Sequence, residues 1–170
     1  MGGRKVVSES KMKDAITKFL NTFSFFNSLD TEELDIVANH IDIIELDPGD
    51  IIFNEGDEGD CVYFVVEGEL DVIKESVGGA TVGVDKVVIT KLARGGSIGE
   101  MSVIDKNPRS ATVKARKEVT LVALTAVGFD MVLEEYPNIG IKILKGIARL
   151  LSLNLRKTSS RLADYMLPIS

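Results

Sequence analysis

The spacing of hydrophobic residues changes from a helical to a strand-like period near residue 41 and returns to a helical period near residue 127. Before residue 41, apolar residues recur at intervals of three and four, which is typical of amphipathic helices. They are Met12, Ile16, Phe19, Leu20 and Phe23 in a first segment, and Leu34, Val37 and Ala38 in a second. Asp30 and Glu33 have the spacing of a capping box, which predicts that the second helix begins directly after Asp30.

Between residues 41 and 126, short β-branched and aromatic runs alternate with turn sequences such as DPGD, NEGDEGD and EGEL. The later runs are KVVITKL, SATVKAR and VTLVALT, and ESVGGATVGVD is predicted to be a loose hairpin connection. The chain is expected to reverse at four glycines, several of them at positive φ: Gly49, Gly56, Gly59 and Gly68. Many short strands at this spacing indicate a closed or sandwiched antiparallel barrel.

Two further helices are predicted at the end of the chain. VGFDMVLEEYP predicts a short helix that ends before Pro137, and the segment from Asn138 predicts a long helix that runs until Pro168. Apolar and small residues of the long helix alternate steps of four and three, as in a coiled-coil seam. They are Leu144, Ala148, Leu151, Leu155, Thr158, Leu162 and Tyr165. The helix could lie on its own barrel, but the length of the seam favours pairing in a homodimer.

These patterns predict an α+β fold that is mainly β. The expected architecture is an antiparallel double-stranded β-helix, or jelly-roll barrel, flanked by N-terminal helices and a long C-terminal helix. We divide the chain into an N-terminal helical segment (1–40), a barrel (41–126) and C-terminal hinge and lid helices (127–170), which together form one domain. A chain of 170 residues is long enough for one core of this kind.

Composition and charge exclude several classes of protein. The hydrophobic fraction of 45% and the charged fraction of 27% are typical of a globular protein, and no apolar run approaches the ~20 residues of a membrane span. A net charge of −6 argues against a general nucleic-acid surface but allows one small anionic ligand in a pocket. The first residues lack the apolar stretch of a secretory signal, so a cytoplasmic location is expected. The one cysteine, Cys61, is predicted to be a small buried residue.

The stretch GEMSVIDKNPRSA (99–111) combines groups that suit an anion carrying a hydroxyl. A glycine-rich approach to a short helix can present free backbone N–H groups to an anion. Arg109 offers a planar fork of donors that fits two phosphate oxygens, and the N–H groups of Ser110 and Ala111 could reach the same oxygens. The Glu100 carboxylate would repel a phosphate, so we expect it to face a hydroxyl donor such as a ribose 2′-OH.

The same residues also fit a simpler arrangement. Glu100 and Arg109 could form an ordinary surface ion pair on a glycine-rich hairpin, which would contribute little to stability. Spacing alone does not distinguish the two interpretations, because short motifs often match by chance.

GEMSVIDKNPRSATVKA resembles the phosphate-binding cassette of the cyclic nucleotide-binding domain family. That family includes regulatory subunits of cAMP-dependent protein kinase, cyclic-nucleotide-gated channels and the bacterial catabolite activator protein. PGDIIFNEGDEGDCVYFVVEGELDV resembles the early barrel of the family, and FFNSLDTEELDIVA resembles its leading helices. The order of elements agrees from about residue 24 to residue 167, so the resemblance covers most of the chain.

The resemblance implies a ligand-binding role for residues of the cassette (95–113). Glu100 would accept a hydrogen bond from the ribose 2′-OH, Arg109 would bind the exocyclic phosphate oxygens, and backbone N–H groups would complete the cradle. The implied ligand-binding set is Ile98, Gly99, Glu100, Met101, Pro108, Arg109, Ser110 and Ala111. No catalytic residue, metal or cofactor is implied besides the ligand, cAMP or cGMP.

The resemblance also implies that the long C-terminal helix closes over the base of the bound cyclic nucleotide. An apolar hinge formed by Phe129, Leu133 and Tyr136 would connect it to the cassette. Asn154 occupies the position of a base-contacting residue in the catabolite activator protein, and its amide can offer a donor and an acceptor to a purine. A solvent-facing polar residue of the helix is an equally good interpretation of Asn154.

The sequence departs from the family pattern in three places. Gly96-Ser97 stands where many relatives have an acidic residue and an aromatic, and Arg149-Leu150 stands where bacterial relatives often have two arginines. The chain stops two residues after Pro168, without the helix-turn-helix of the bacterial activators.

The leading hypothesis is a regulatory domain that binds a cyclic nucleotide, with cAMP favoured over cGMP, and reports occupancy through its last two helices. In this family a hydroxyl directly after the arginine is often linked to cGMP, and Ser110 supplies one, but the catabolite activator protein has serine there and responds to cAMP. The alternative is a fragment or relative of a Crp-type transcription regulator, or of another larger cyclic-nucleotide-regulated protein.

Other functional classes are less consistent with the sequence. An enzyme is not expected, since phosphodiester hydrolysis usually needs clustered His and Asp metal ligands and His40 is the one histidine. Binding of nucleic acid by this chain would need a recognition helix and a basic surface, and neither follows the barrel. A relative that keeps only dimer contacts is disfavoured by the Glu100 and Arg109 pair. The expected partners are the cyclic nucleotide, a second copy and an unidentified effector protein, without a membrane.

Overall fold

In the computed structural model, two antiparallel sheets face each other, with helices packed before and after them. The structure describes residues 9–77 and 84–166. Its helices and strands in chain order are α1 (Glu9–Leu20), a 3₁₀ helix (Ser24–Phe26), α2 (Thr31–Ala38), β1 (Ile41–Leu46), β2 (Ile51–Phe53), β3 (Cys61–Glu67), β4 (Glu69–Val77), β5 (Val84–Ala93), β6 (Ser97–Ile98), α3 (Glu100–Asp105), β7 (Thr112–Ala115), β8 (Val119–Thr125), α4 (Ala126–Glu135) and α5 (Pro137–Tyr165).

The two sheets have the strand orders β1-β8-β3-β6 and β2-β7-β4-β5, and every pairing within them is antiparallel. Most neighbouring strands are far apart in the chain, as the long return connections of a jelly roll require. The predicted fold class, a mainly β jelly roll with flanking helices, is confirmed.

Strands β3 and β8 are buried on both faces, which explains their nearly continuous apolar sequences. One face packs against the helices and forms the helix-side cluster, which includes Leu20, Phe23, Phe25, Phe26, Phe64, Leu124, Phe129 and Ile143. The other face points between the sheets and forms the barrel cluster, which includes Phe53, Cys61, Tyr63, Val65, Leu70, Val72, Val113 and Leu121. Because successive side chains of a strand point to opposite faces, Tyr63 and Phe64 belong to different clusters.

The predicted capping box of α2 is present. The Asp30 carboxylate accepts from the Glu33 N–H at 3.0 Å, and the Glu33 carboxylate accepts from the Asp30 N–H at 2.9 Å. In α1, Ile16 and Leu20 are buried as the spacing predicts. Met12 lies outside the residues whose side chains are described. The middle of the predicted ESVGGATVGVD hairpin connection (78–83) lies outside the described residues.

Helix α5 begins and ends earlier than predicted. It starts at Pro137 rather than Asn138, because proline suits the first helical position, where its missing N–H costs no hydrogen bond. It ends at Tyr165 rather than reaching Pro168. Its first half packs into the helix-side cluster through Ile143 and Ile147, whereas every residue from Ser152 to Met166 is exposed. No helix among the described residues could span a bilayer.

Candidate functional site

The GEMSVIDKNPRSA stretch forms a loop with a short helix in its middle, which connects β6 to β7. Gly99 precedes α3 with a φ of 92°, a left-handed conformation that favours glycine. Helix α3 ends at Asp105, and the capping residue Lys106 is also left-handed, with a φ of 56°. The chain then passes through Pro108 to Ala111 and enters β7. The loop therefore connects the two sheets, because β6 and β7 belong to different ones.

Arg109 lies inside this loop with only 3% of its surface exposed. Its Nη1 donates to the Gly99 carbonyl at 3.1 Å and its Nη2 donates to the Cys61 carbonyl at 2.9 Å. The nearest carboxylate is that of Asp60, at 3.8 Å from Nη2. A buried cation is costly to desolvate, so these carbonyl groups and the exposed Asp60 carboxylate provide part of its compensation.

Two aromatic rings of the barrel cluster surround the Arg109 guanidinium. Its central carbon lies 4.3 Å from the centre of the Phe53 ring and 5.7 Å from the centre of the Tyr63 ring. A cation over an aromatic face is attracted by the ring quadrupole, and the attraction is stronger where water is excluded. The rings therefore hold the guanidinium in one position at the mouth of the barrel.

Glu100 is also buried, with 6% of its surface exposed. Its Oε1 accepts from the Asn154 side-chain amide at 3.4 Å, and its Oε2 has no hydrogen-bond partner among the described residues. The pKa of Glu100 is raised above its ordinary value of 4.5, mainly because burial disfavours the carboxylate. A hydrogen bond with its own main chain, the hydrogen bond from Asn154 and the charge of Arg109 oppose this shift.

Arg109 likewise keeps a buried donor, Nε, without a partner in the part of the chain that the structure describes. Buried polar atoms usually have a hydrogen-bond partner, and an unsatisfied one costs ~1–3 kcal/mol. A surface ion pair between Glu100 and Arg109 is thus the wrong interpretation, because both side chains are buried and each contacts other groups.

Two glycines allow backbone and side chains to pack tightly around Arg109. A Cβ on Gly99 would lie 2.3 Å from Arg109 Nη1, and a Cβ on Gly59 would lie 2.1 Å from Ser102 Cβ and 3.1 Å from Arg109 Nε. Gly49, Gly56 and Gly68 have positive φ as expected, but Gly59 does not. Gly59 is instead required for close approach between its loop and the cassette.

The segment that leaves the cassette is held by the loop after β2. The Arg109 N–H donates to the Asp57 carbonyl at 2.8 Å, and the Gly56 N–H donates to the Arg109 carbonyl at 2.9 Å. The Glu55 N–H donates to Thr112 Oγ1 at 2.9 Å. These bonds fix the main chain on either side of Ser110 and Ala111.

The titratable groups beside Arg109 are strongly affected by burial. Desolvation, followed by the Asp60 charge, raises the pKa of the Cys61 thiol to about 11. Desolvation raises the pKa of Tyr63 to about 12. Both groups are therefore neutral near pH 7. Among the described residues, no group of three or more His, Cys, Asp or Glu side chains could hold a metal ion.

Comparison with known proteins places this loop in a recognised family. The family model of the cyclic nucleotide-binding domain matches residues 43–136, which is more than half of the chain. The chain belongs to the cyclic nucleotide-binding domain family. The match includes the whole cassette and the barrel that carries it, so the predicted resemblance is confirmed.

Relatives of this cyclic nucleotide-binding domain include parts of larger proteins. The chain is 34% identical over 122 residues to lysophospholipase nte1 of Neurospora crassa, covering 69% of this chain and 8% of that protein. It is 33% identical over 121 residues to the cAMP-dependent protein kinase regulatory subunit of Emericella nidulans, covering 71% of this chain and 27% of that protein. The chain thus spans less than a third of the length of these curated relatives.

A solved structure supports the same assignment. The crystal structure of a cyclic nucleotide-binding domain from Methylobacillus flagellatus KT matches with a TM-score of 0.79 and 27% identity. The match covers 94% of this chain and 86% of that chain. It extends over the flanking helices as well as the jelly roll.

The structure brings most of the predicted site residues of this domain to one loop. Gly99, Glu100, Arg109 and Ala111 lie together, and Ile98 pairs with Tyr63 at the edge of β3. Three members of the predicted set lie at the surface of the loop: Met101, Pro108 and Ser110. Asn154 reaches the site from α5 through Glu100, and its contact with a base stays a prediction.

Sequence reasoning missed the groups that position Arg109. Phe53, Asp60 and Tyr63 are 46 to 56 positions away from it in the chain, and no local spacing indicates that they face it. The GDEGD sequence contains Gly59 and Asp60, but its local pattern indicates only a turn. Close packing of that turn against Arg109 and Ser102 is evident only in three dimensions.

Proposed function

We propose that this domain is a regulatory sensor that binds a 3′,5′-cyclic nucleotide, cAMP in preference to cGMP, and is not itself an enzyme. The observation that carries the proposal is the pair of buried, unsatisfied polar atoms at the cassette, one an acceptor on Glu100 and one a donor on Arg109. A ligand that offers a hydroxyl and an anionic group close together satisfies both.

The ribose 2′-OH is the proposed partner of Glu100 Oε2. The other carboxylate oxygen, Oε1, already accepts from Asn154, so the hydroxyl can bind without displacing that amide. A deoxyribose ligand leaves the buried Oε2 unpaired, and such a loss costs ~1–3 kcal/mol. The domain should therefore discriminate strongly between a ribose and a 2′-deoxyribose.

The cyclic phosphate is the proposed partner of Arg109. An arginine carries more N–H donors than the two carbonyl groups use, and Nε is one of the remaining donors. The Phe53 ring and the Gly99 carbonyl keep the guanidinium oriented. A preorganised donor of this kind loses little entropy when the anion binds.

Signal transmission is proposed to run through α5. Asn154 connects the ribose acceptor to the exposed half of α5, while the first half of the helix stays packed in the helix-side cluster. A ligand that orders Glu100 would shift an existing equilibrium of that exposed half towards the cassette. The exposed seam, with Leu155 and Leu162 mostly accessible, is the proposed contact surface for a second copy or an effector.

A role inside a larger protein is the second candidate. Both curated relatives named above are several times longer than their matching segments. In such a protein this domain would supply cyclic-nucleotide control to an activity that resides in another part of the chain. The ligand-binding chemistry is the same in both cases.

Parallel calorimetric titrations with cAMP and cGMP test the proposal. We expect saturable one-to-one binding of both, with cAMP the tighter ligand. Removing one partner of a buried charge interaction costs about 2–5 kcal/mol, so Arg109→Ala should weaken binding by roughly 30-fold or more. Arg116→Ala is the matched control, because it removes the same charge from a half-exposed side chain whose ion-pair partners among the described residues are the half-buried acids Glu69 and Asp71 of β4.

Two outcomes of these titrations would contradict the proposal. If the wild-type domain binds neither nucleotide, the functional assignment is wrong. If Arg109→Ala binds with wild-type affinity while remaining folded by circular dichroism, the assignment of the phosphate to Arg109 is wrong.

A further inference from the structure

Lys74, on β4, is held by two contacts at the exit of the cassette. Its Nζ donates to the Ser110 main-chain carbonyl at 2.7 Å and to Glu55 Oε1 at 2.5 Å. The side chain is 46% exposed, and that of Glu55 is 30% exposed. β4 pairs with β7 up to Thr112, which explains why the next residue of β4 reaches the carbonyl of Ser110.

The Ser110 carbonyl shares a peptide plane with the N–H of Ala111. All peptide bonds of the described chain are trans, so the carbonyl and the N–H of this unit point in opposite directions. A cation that holds the oxygen on one side therefore fixes the direction of the N–H on the other. Chains of hydrogen bonds also polarise one another, which makes the far N–H a stronger donor.

The surrounding hydrogen bonds leave this peptide as the adjustable part of the segment. Arg109 is fixed through both its N–H and its carbonyl, and Thr112 is fixed through its hydroxyl by Glu55. Glu55 thus holds the segment twice, through its own N–H and through the side chain of Lys74. The hydrogen bonds from Lys74 and from the Glu75 N–H lower the pKa of Glu55, so its carboxylate is ionised at neutral pH.

We propose that Lys74, held by Glu55, is a positioning residue of the anion site that orients and polarises the Ser110–Ala111 peptide towards the phosphate of the ligand. Lys74 does not touch the ligand in this arrangement; it acts through the main chain. The inference rests on the proposed function, since it assigns the partner of that N–H as the cyclic phosphate.

Calorimetric titration of cAMP into Lys74→Met tests the inference. Methionine keeps an unbranched side chain but cannot donate to the Ser110 carbonyl, so the Ala111 N–H loses the group that orients and polarises it. We expect affinity for cAMP to fall about tenfold. Lys74→Arg keeps the charge and the donors and should recover most of the affinity. Lys86→Met is the matched control, since Lys86 lies on the neighbouring strand, is 65% exposed and contacts only Glu75 among the described acids.

A second measurement separates positioning from a general effect on the fold. Glu55→Gln should weaken binding less than Lys74→Met, and the double variant should bind no worse than Lys74→Met, because both changes act on the same peptide. In ¹⁵N-labelled protein, the ligand-induced shift of the Ala111 amide signal should be reduced in Lys74→Met, while thermal unfolding of the free protein is nearly unchanged.

The outcomes are distinct. Wild-type affinity in Lys74→Met, or an equal loss in Lys86→Met, overturns the inference and leaves the proposed function intact. A wild-type domain that does not bind cyclic nucleotides overturns both. Additive losses in the double variant also contradict a shared action through one peptide.

Discussion

Tyr63 and Phe64 are neighbours on β3, yet Tyr63 belongs to the barrel cluster and Phe64 to the helix-side cluster. Phe64 is in contact with Phe23, Phe25 and Phe26 of the helix-side cluster, at ring-centre distances of 5.0 to 5.2 Å. Tyr63 faces the barrel cluster, where the Arg109 guanidinium lies against the rings. The contrast indicates that one side of the strand packs against the helices, whereas the other side packs against the residues that surround Arg109.

Removing Phe64 should produce the largest effect on stability. Phe64 is fully buried, and truncation of a buried phenylalanine to alanine costs ~3–5 kcal/mol. Urea unfolding followed by circular dichroism measures the change in the free energy of unfolding. The groups that bond to or stack on the Arg109 guanidinium are Gly99, Cys61, Phe53 and Tyr63, and none of them belongs to the helix-side cluster. The fraction of Phe64→Ala that stays folded should therefore bind cAMP with close to wild-type affinity.

Val87→Ala is a suitable control for that measurement. Val87 is 47% exposed on β5, so its truncation should change the free energy of unfolding by less than about 0.5 kcal/mol. A large loss of affinity per folded molecule in Phe64→Ala would contradict the separation of the two clusters.

Gly59→Ala should disturb stability and binding together. The new Cβ would overlap Ser102 Cβ, so the loop before β3 must move away from the cassette. Overpacking of this kind costs about 1–3 kcal/mol, and the same movement shifts the groups around Arg109. We expect a lower unfolding midpoint together with weaker binding in calorimetry. A variant with lower stability and unchanged affinity would show that the loop does not position Arg109.

Glu100→Gln should have a smaller effect on stability, and the size of that effect depends on pH. Burial raises the pKa of Glu100 above its ordinary value of 4.5. Between the pKa of the unfolded chain and the raised pKa of the folded protein, the folded protein binds more protons than the unfolded chain. The wild-type protein therefore loses stability as the pH rises through that window, and stays destabilised above it. Glutamine carries no such penalty, so the variant should be the more stable protein at pH 7.

Urea unfolding at pH 7 and at pH 4 checks this expectation, and the advantage of Glu100→Gln should shrink at the lower pH. An advantage that is equal at both pH values would contradict a buried, titrating carboxylate. The preference for cAMP over 2′-deoxy-cAMP should become smaller in this variant, because a neutral amide oxygen is a weaker acceptor for the ribose hydroxyl than a carboxylate.

Local chemistry made the helices, the strands and the two charged residues of the cassette predictable. A hydrophobic run such as VYFVV predicts a strand. Its apolar residues do not alternate with polar ones because the strand is buried on both faces. The capping box at Asp30 predicts where α2 begins, because it depends on residues three positions apart. These features are encoded within a few residues of where they act.

The environment of the site was not predictable, because it depends on contacts between distant segments. The spacing of Glu100 and Arg109 suits a buried site and a surface pair equally, and only the packing of Gly59 and the Phe53 ring against Arg109 distinguishes them. The bond from Lys74 to the Ser110 carbonyl depends on the register of β4 against β7, which no pattern within either strand reveals.

Asn154→Ala should have the smallest effect and tests whether the barrel side of the molecule communicates with α5. The Asn154 amide donates to Glu100 across 3.4 Å from an exposed position, so its loss should change stability by less than about 0.5 kcal/mol.

In hydrogen–deuterium exchange, saturating cAMP should protect the α5 amides after Ser152 in the wild-type protein and protect them less in this variant. Ser152→Ala, an exposed change half a turn earlier, should behave like the wild type. Equal protection in Asn154→Ala and the wild type would mean that the ligand reaches α5 by another contact, and the two faces of β3 would then be coupled through the packed core rather than through Glu100.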